Sequence, residues 1–318
     1  MGKRNIVWND YISQDERFAD FFNGTVFGGE RAVSPEALTA LDTKLWRRRQ
    51  EKGSYHEYIR DIAKRWTYAG KTYVLGLELE ESPHYALPVK YLNYESTEYD
   101  RQYKEQVRRH REKGDLRRDE YLSGFAEDDR LSPVITIGVY LGERMWKGCM
   151  TLGEMAGVEE MPPGIRDRMR SVINDYRVNL FNIHTLENSD IFQSDLREVF
   201  GFLKRQGDRE GLRRYIEENE QFRHLKEDAY DVLCLYSGNK KLAYKKESYR
   251  TEEGNRMSMC KAMREWAEEE RKEGRQEGNR MLNELNRKLI KDGRTEDLFQ
   301  SIQNPDHQKK LLQEYGIS

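Results

Sequence analysis

The chain has 318 residues, enough for two domains or for one large domain with an extension. Hydrophobic residues make up 36% and charged residues 35%, so a core of about a hundred and fifty residues must be accompanied by charged, solvent-facing helices. The 55 basic and 57 acidic residues leave a formal net charge of −2, which excludes nucleic-acid binding driven by bulk charge but not by local basic patches. Cys149, Cys234 and Cys260 are isolated and show no metal spacing, and they read as free thiols of a reducing compartment. No apolar run reaches bilayer length, and the opening MGKRNIVWND lacks a signal-peptide core. The expectation is a soluble, cytoplasmic protein with no membrane partner.

Residues 13–24, SQDERFADFFNG, carry Phe18, Phe21 and Phe22 at helical spacing, with Ser13 as cap and Gly24 as stop. SPEAL at 34–38 opens a second short helix on Ser34 and Pro35. YIRDIAKRW (58–66) and KTYVLGLELE (71–80) read as two strands around a turn at Ala69-Gly70. The stretch from Tyr85 to about Lys113 is expected to be helical, with Pro88 in its first turns. LSPVITIGVYLG (131–142) is the clearest strand, and YRVNLFNIH (176–184) is a further one.

From Ser189 onward the chain reads as helical. FQSDLREVFGFLKRQ carries an apolar stripe at Phe192, Leu196, Val199, Phe200 and Leu203. Residues 240–290 are charged and nearly free of proline, with Gly274 and Gly278 marking a hinge or a close helix contact. A last helix runs from an Asn304 cap through Pro305 to a Gly316 stop. Three segments are therefore expected: a core over 1–185, a helical extension packed on it over 186–240, and a charged helical C-terminal region over 241–318.

The stretch GLELEESPHY (76–85) sets acids directly on an apolar run. Alternation along a strand points Leu75, Leu77 and Leu79 to one face and Gly76, Glu78 and Glu80 to the other. If Ala69-Gly70 is a tight two-residue turn, Tyr68 pairs with Lys71, Asp61 comes opposite Glu78, and Glu80 lies beside Ile59. Opposed like charges destabilise a sheet unless a cation or a proton intervenes. A hard divalent ion resolves the conflict, since Mg²⁺ takes one or two carboxylates plus water and phosphate oxygens. The plain alternative is that these acids form the solvated side of an amphipathic hairpin.

The order helix, strand with Asp61, strand ending Glu78-Leu79-Glu80, long helix, strand PVITIGVY resembles the core of the PD-(D/E)XK nuclease superfamily. More narrowly, the chain resembles the bacterial recombination-promoting nuclease/putative transposase family. The resemblance is carried by RFADFFNGTVFGGE, YIRDIA, GLELEESPHYALPVKYLNYES, LSPVITIGVYLGERMWKG, SDLREVFGFLK and HQKKLLQEYGI, spread over nearly the whole chain. It implies an α/β restriction-endonuclease-like core, a central mixed sheet flanked by helices, with a helical charged C-terminal region. It also implies a Mg²⁺-dependent DNA endonuclease, with Mn²⁺ as an alternative ion and with recombination or transposition as its setting.

Asp61 matches the catalytic aspartate implied by the resemblance, and Glu78 the acid that opens the (D/E)-x-K element. Position 80 departs from the pattern: the superfamily commonly has Lys, the subfamily Gln, and this chain Glu80. Glu80 then either completes a metal site with Asp61 and Glu78 or marks a degraded enzyme. Lys90 is the lysine that can serve from the neighbouring helix, its plain alternative being an ordinary surface residue. DNA contacts are expected from WRRRQEK, with Arg47, Arg48 and Arg49, and from VRRHREKGDLRR, with Arg108 and Arg109; the plain reading of both is solvated charge. His84 either lines the site or caps a loop. The rival functional reading is a catalytically inactive nuclease-like module for DNA binding or assembly, forming a homo-oligomer through its C-terminal helical region.

Overall fold

The computed structural model describes residues 3–41, 44–48, 55–59, 61–252 and 256–317, and of residues 3, 44–48 and 55–59 the backbone only. Two helices open the chain, α1 (Lys3–Ile12) and α2 (Asp15–Thr25). No sequence pattern announces α1. Its Trp8, Tyr11 and Ile12 are fully buried, so tertiary packing rather than local pattern makes this helix. Gly24 lies inside α2 instead of ending it; a Cβ there would stand 2.8 Å from Phe192 Cε1, so its absence lets that ring close on the helix. SPEAL forms a single 3-10 turn, Pro35–Ala37, that runs straight into strand β1 (Leu38–Ala40).

The strand expected over 58–66 is two strands. β2 (Lys44–Arg48) and β3 (Tyr55–Ile59) pair with each other as an antiparallel ribbon, and β4 (Ile62–Tyr68) begins afresh after Asp61. β4 and β5 (Lys71–Glu80) form the hairpin, in register from Tyr68 opposite Lys71 to Ile62 opposite Leu77. Ala69 and Gly70 have φ of 48° and 75°, both positive as a type I′ turn requires.

α3 (Leu87–Lys113) follows, with Pro88 in the first turn, where no backbone N–H is missed, and Gly114 closing it at φ 64°. After α4 (Glu120–Ser123), strand β6 (Val134–Tyr140) runs parallel to β5. The short α5 (Leu152–Met155) and α6 (Pro163–Val172) lead to β7 (Asn179–Asn182), parallel to β6. The outcome is a five-stranded mixed sheet in the order β1-β4-β5-β6-β7, flanked by helices, an α/β architecture.

Beyond residue 189 come α7 (Leu196–Lys204) and α8 (Arg209–Glu218), then strand β8 (Leu225–Lys226), α9 (Glu227–Ser237) and α10 (Lys240–Tyr244). Strand β9 (Arg256–Met257) pairs with β8 and interrupts the expected all-helical run. α11 (Met259–Lys291), α12 (Thr295–Gln303) and α13 (Pro305–Glu314) complete the chain, the last capped by Asn304 as its sequence suggests. The stripe of Phe192, Leu196, Val199, Phe200 and Leu203 is buried throughout.

One hydrophobic cluster runs from Trp8 through Leu75, Leu77 and Leu79 to Ala262, across residues 185 and 240 alike. A small cluster joins Leu87, Tyr91, Tyr94 and Val178, and another joins Leu285, Leu289, Leu311 and Ile317. α11 continues unbroken through Gly274 and Gly278, and a Cβ at either would meet nothing within 4 Å, so neither marks a close helix contact. The three cysteines are free. Among the described residues no helix is long and apolar enough to cross a membrane.

Candidate active site

Leu75, Leu77 and Leu79 face the main core, and Glu78 and Glu80 face the opposite way, toward α3. That face is covered. Leu87, Tyr91 and Tyr94 of α3 are buried, and Glu78 and Glu80 are only 2% and 6% exposed. These acids are not the solvated side of an amphipathic hairpin. Gly76, on the same face, is itself buried.

The register carries one step beyond Ile62 and Leu77, setting Asp61 across from Glu78. There the backbone ladder ends and side chains take over. The Asp61 N–H donates to Glu78 Oε1 (3.1 Å), and the Leu79 N–H donates to Asp61 Oδ2 (2.9 Å). With those backbone groups engaged, the chain turns away from β5. Glu80 is therefore not beside Ile59, which pairs with Lys44 in the β2–β3 ribbon, but in register with Tyr140 of β6.

Lys90, in the first turns of α3, joins the acids. Its Nζ lies 2.6 Å from Glu80 Oε1 and 3.6 Å from Glu78 Oε2, with the lysine side chain 25% exposed. The Tyr91 hydroxyl donates to the same Glu80 Oε1 at 3.1 Å. Tyr91 reaches Glu80 because Gly138 stands in register with Glu78; a Cβ on Gly138 would lie 2.4 Å from the Tyr91 hydroxyl oxygen. Sequence reasoning missed both residues. The available signal was a glycine inside the β-branched run PVITIGVY, which marks a close approach of another group to the backbone.

Burial pushes the Glu78 carboxyl up to about 8; Lys90 pulls against this, and Asp61 and Glu80 add to it. Burial alone would lower the Lys90 ammonium, but the Glu80 and Glu78 carboxylates outweigh it and hold the lysine above its ordinary value. Burial, reinforced by Glu78, Asp61 and Glu80, raises the Tyr94 hydroxyl well out of the physiological range. Burial thus favours the protonated form of Glu78, while the facing carboxylates favour the charged form of Lys90.

The donor set suits a hard divalent ion at two carboxylates. Asp61 is half-buried and spends Oδ2 on a backbone N–H, and Glu78 spends Oε1 likewise, which leaves one oxygen of each free of backbone bonds. Mg²⁺ asks for no more than one or two protein carboxylates, the rest of its shell being water and phosphate oxygens. Glu80 is committed to Lys90 and Tyr91. Among the described residues no group of three or more acids, histidines or cysteines is gathered for a metal.

The expected DNA contacts lie elsewhere. Arg108 and Arg109 are exposed near the far end of α3, roughly 27 Å along the helix from Lys90 at 1.5 Å per residue. Arg108 stands 4.0 Å from Glu112. Arg47 and Arg48 fall on β2, whose backbone lies against α3, and Arg49 is outside the described residues. His84 is exposed, and its carbonyl accepts the Leu87 N–H at the start of α3. Comparison of the chain with known protein families, curated proteins and solved structures finds no match in any of the three.

Proposed function

We propose that this chain is a divalent-metal-dependent DNA endonuclease on a PD-(D/E)XK-type core, as its resemblance to recombination-promoting nucleases implies. The observation that carries the proposal is the opposed Asp61–Glu78 pair, Glu78 buried beneath α3 and Asp61 half-buried, with Lys90 brought against Glu78. The element order supports the same reading: α2, the β4–β5 hairpin, α3, and then β6 parallel to β5.

Asp61 and Glu78 would hold the ion, Mg²⁺ or Mn²⁺. When bound, such an ion draws charge from a phosphate oxygen and acidifies water. Glu78 must give up its proton to serve, and the same cation makes that ionisation favourable. Lys90, on the partly open side, supplies positive charge for the phosphate as negative charge develops there. Glu80 is the positioning residue: its bond to Lys90 holds the ammonium beside Glu78, and Tyr91 holds Glu80 in turn. Arg47 and Arg48 on the ribbon against α3 and the Arg108–Arg109 pair would track the duplex backbone by counterion release.

One observation favours the rival reading of an inactive DNA-binding or assembly module. Glu80 already neutralises Lys90 in a closed pair, which a phosphate would have to share. Supercoiled plasmid incubated with Mg²⁺ or Mn²⁺, with EDTA, and with the Asp61→Ala and Glu78→Ala variants decides between them. Metal-dependent nicking that disappears in both folded variants is the expected result. A folded wild type that cuts with neither metal would establish the inactive module.

A further inference from the structure

A cavity of about 1000 Å³ opens where β6 and β7 end, between their following residues, the α7–α8 turn, the α9–α10 turn and α11. None of Asp61, Glu78, Glu80 or Lys90 lines it. Its place is the one where open sheets with parallel strands receive ligands, outside the strands' carboxyl ends. Its size falls at the upper end of ordinary small-molecule sites.

Two kinds of wall face each other there. One is apolar: Leu203 and Leu212 from the core, with Met263 and the half-buried Trp266 from α11. The other is cationic. Five basic side chains line the cavity against three acidic ones, and one of those acids, Glu273, is already held by Lys241 at 2.7 Å. Arg209, Arg213 and Lys240 form no ion pair with any described residue.

Two residues of the lining carry hydrogen-bonding atoms with nothing to bond. Asn239 Oδ1 accepts the Lys241 N–H at 2.9 Å, which fixes the amide and leaves Nδ2 as a buried donor without an acceptor. The Tyr236 hydroxyl is likewise buried and unpartnered. A buried polar group left unmatched is costly, so such atoms mark where a partner belongs. Donors and unpaired cations call for an anion rich in acceptor oxygens, and the indole wall calls for a flat apolar ring beside it.

We propose that this cavity binds a nucleoside phosphate, the base against Trp266 and Met263 and the phosphate toward Arg209, Arg213 and Lys240. The site is separate from the acid cluster and does not depend on whether that cluster cleaves DNA. A free mononucleotide and the 5′-phosphorylated end of a strand offer the same chemistry.

The test is calorimetric titration of the full chain in EDTA, which removes any metal-dependent cleavage. The probes are AMP, a short 5′-phosphorylated oligonucleotide and inorganic phosphate. The variants are Arg213→Ala/Lys240→Ala, whose side chains are exposed, and Glu78→Gln at the other site, each first checked for unchanged secondary structure by circular dichroism. Expected is binding of a nucleoside phosphate that weakens at least tenfold in the double variant and less than twofold in Glu78→Gln. Tighter binding of AMP assigns a free-nucleotide site, and tighter binding of the oligonucleotide assigns a strand-end site. The proposal is overturned if folded wild type binds neither, if the double variant binds as well as wild type, if Glu78→Gln binds tenfold more weakly, or if phosphate alone binds as tightly as the nucleotide.

Discussion

Replacing Glu78 with Gln should make the metal-free protein more stable, by an amount that depends on pH in a defined way. The amide keeps the shape and retains an acceptor for the Asp61 N–H, but it removes the cost of ionising a carboxyl beneath α3. That carboxyl sits at about 8 in the fold against 4.5 ordinarily. At roughly 1.4 kcal/mol per pH unit, the gap amounts to about 5 kcal/mol, an upper bound before water and side chains relax around the charge. A raised folded-state pKa means that stability is fully present at low pH and lost as pH rises. Below 4.5 both states hold the proton; between 4.5 and 8 only the folded state does; above 8 the folded state too must carry the buried charge. The advantage of Glu78→Gln should therefore be small at pH 4.5, grow through pH 6.5 and level off above pH 8 at about 2–3 kcal/mol. For a chain of this size that is a rise in Tm of about 5 °C. Thermal unfolding followed by circular dichroism in EDTA at several pH values measures it. A variant less stable than wild type at pH 8.5, or an advantage that does not change with pH, would refute the burial argument. Adding Mg²⁺ should raise the Tm of wild type at pH 8 and leave Glu78→Gln unmoved, because an ion stabilises only the state that binds it.

Gly138→Ala would set a Cβ 2.4 Å from the Tyr91 hydroxyl, so it should displace the ring from Glu80 and cost about 1–3 kcal/mol in urea unfolding; adding Tyr91→Phe should recover part of the loss. Arg17 is 1% exposed, is bridged to Asp195 and Asp228 at 2.6 Å each, and lies 4.0 Å over the Tyr11 ring. Arg17→Met leaves two acids without their cation, and should cost about 3–5 kcal/mol by the same measurement. Ala69 holds a positive φ of 48° in the hairpin turn, where asparagine is at ease, so Ala69→Asn should stabilise by about 0.5–1 kcal/mol with the register unchanged by hydrogen exchange.

How far the candidate site was legible depended on which distances are local in sequence. A two-residue turn fixes a register arithmetically, and Ala69-Gly70 places Asp61 opposite Glu78 without reference to the rest of the molecule. What lies further back from the turn, at Ile59, is decided differently. The chain leaves the ladder at Asp61 because the Asp61 amide and the Leu79 amide are taken by carboxylates, a competition between side chains and backbone that no periodicity reports. The same is true of α1, whose Trp8 and Tyr11 acquire their reason only when α7 and α9 are present to bury them.

Alternation showed that Glu78 and Glu80 share a face, but a period of two is silent on what covers it. The information lay one element further on. Leu87, Tyr91 and Tyr94 recur at helical spacing, a stripe that must be buried somewhere, and the acid side of β5 is where it comes down. Lys90 sits at the edge of that stripe, one position before Tyr91. An edge position keeps the side chain a quarter exposed while its ammonium reaches the acids. It also explains why Glu80 and Lys90 can meet although ten residues separate them. The strand ends, the chain reverses, and the first turns of α3 return over the residues just left. A substitution that moves the stripe by one position would carry Lys90 and Tyr91 off the acids together and leave Glu80 buried with neither partner, which is why the spacing of that stripe, more than the identity of residue 80, sets whether the site can form.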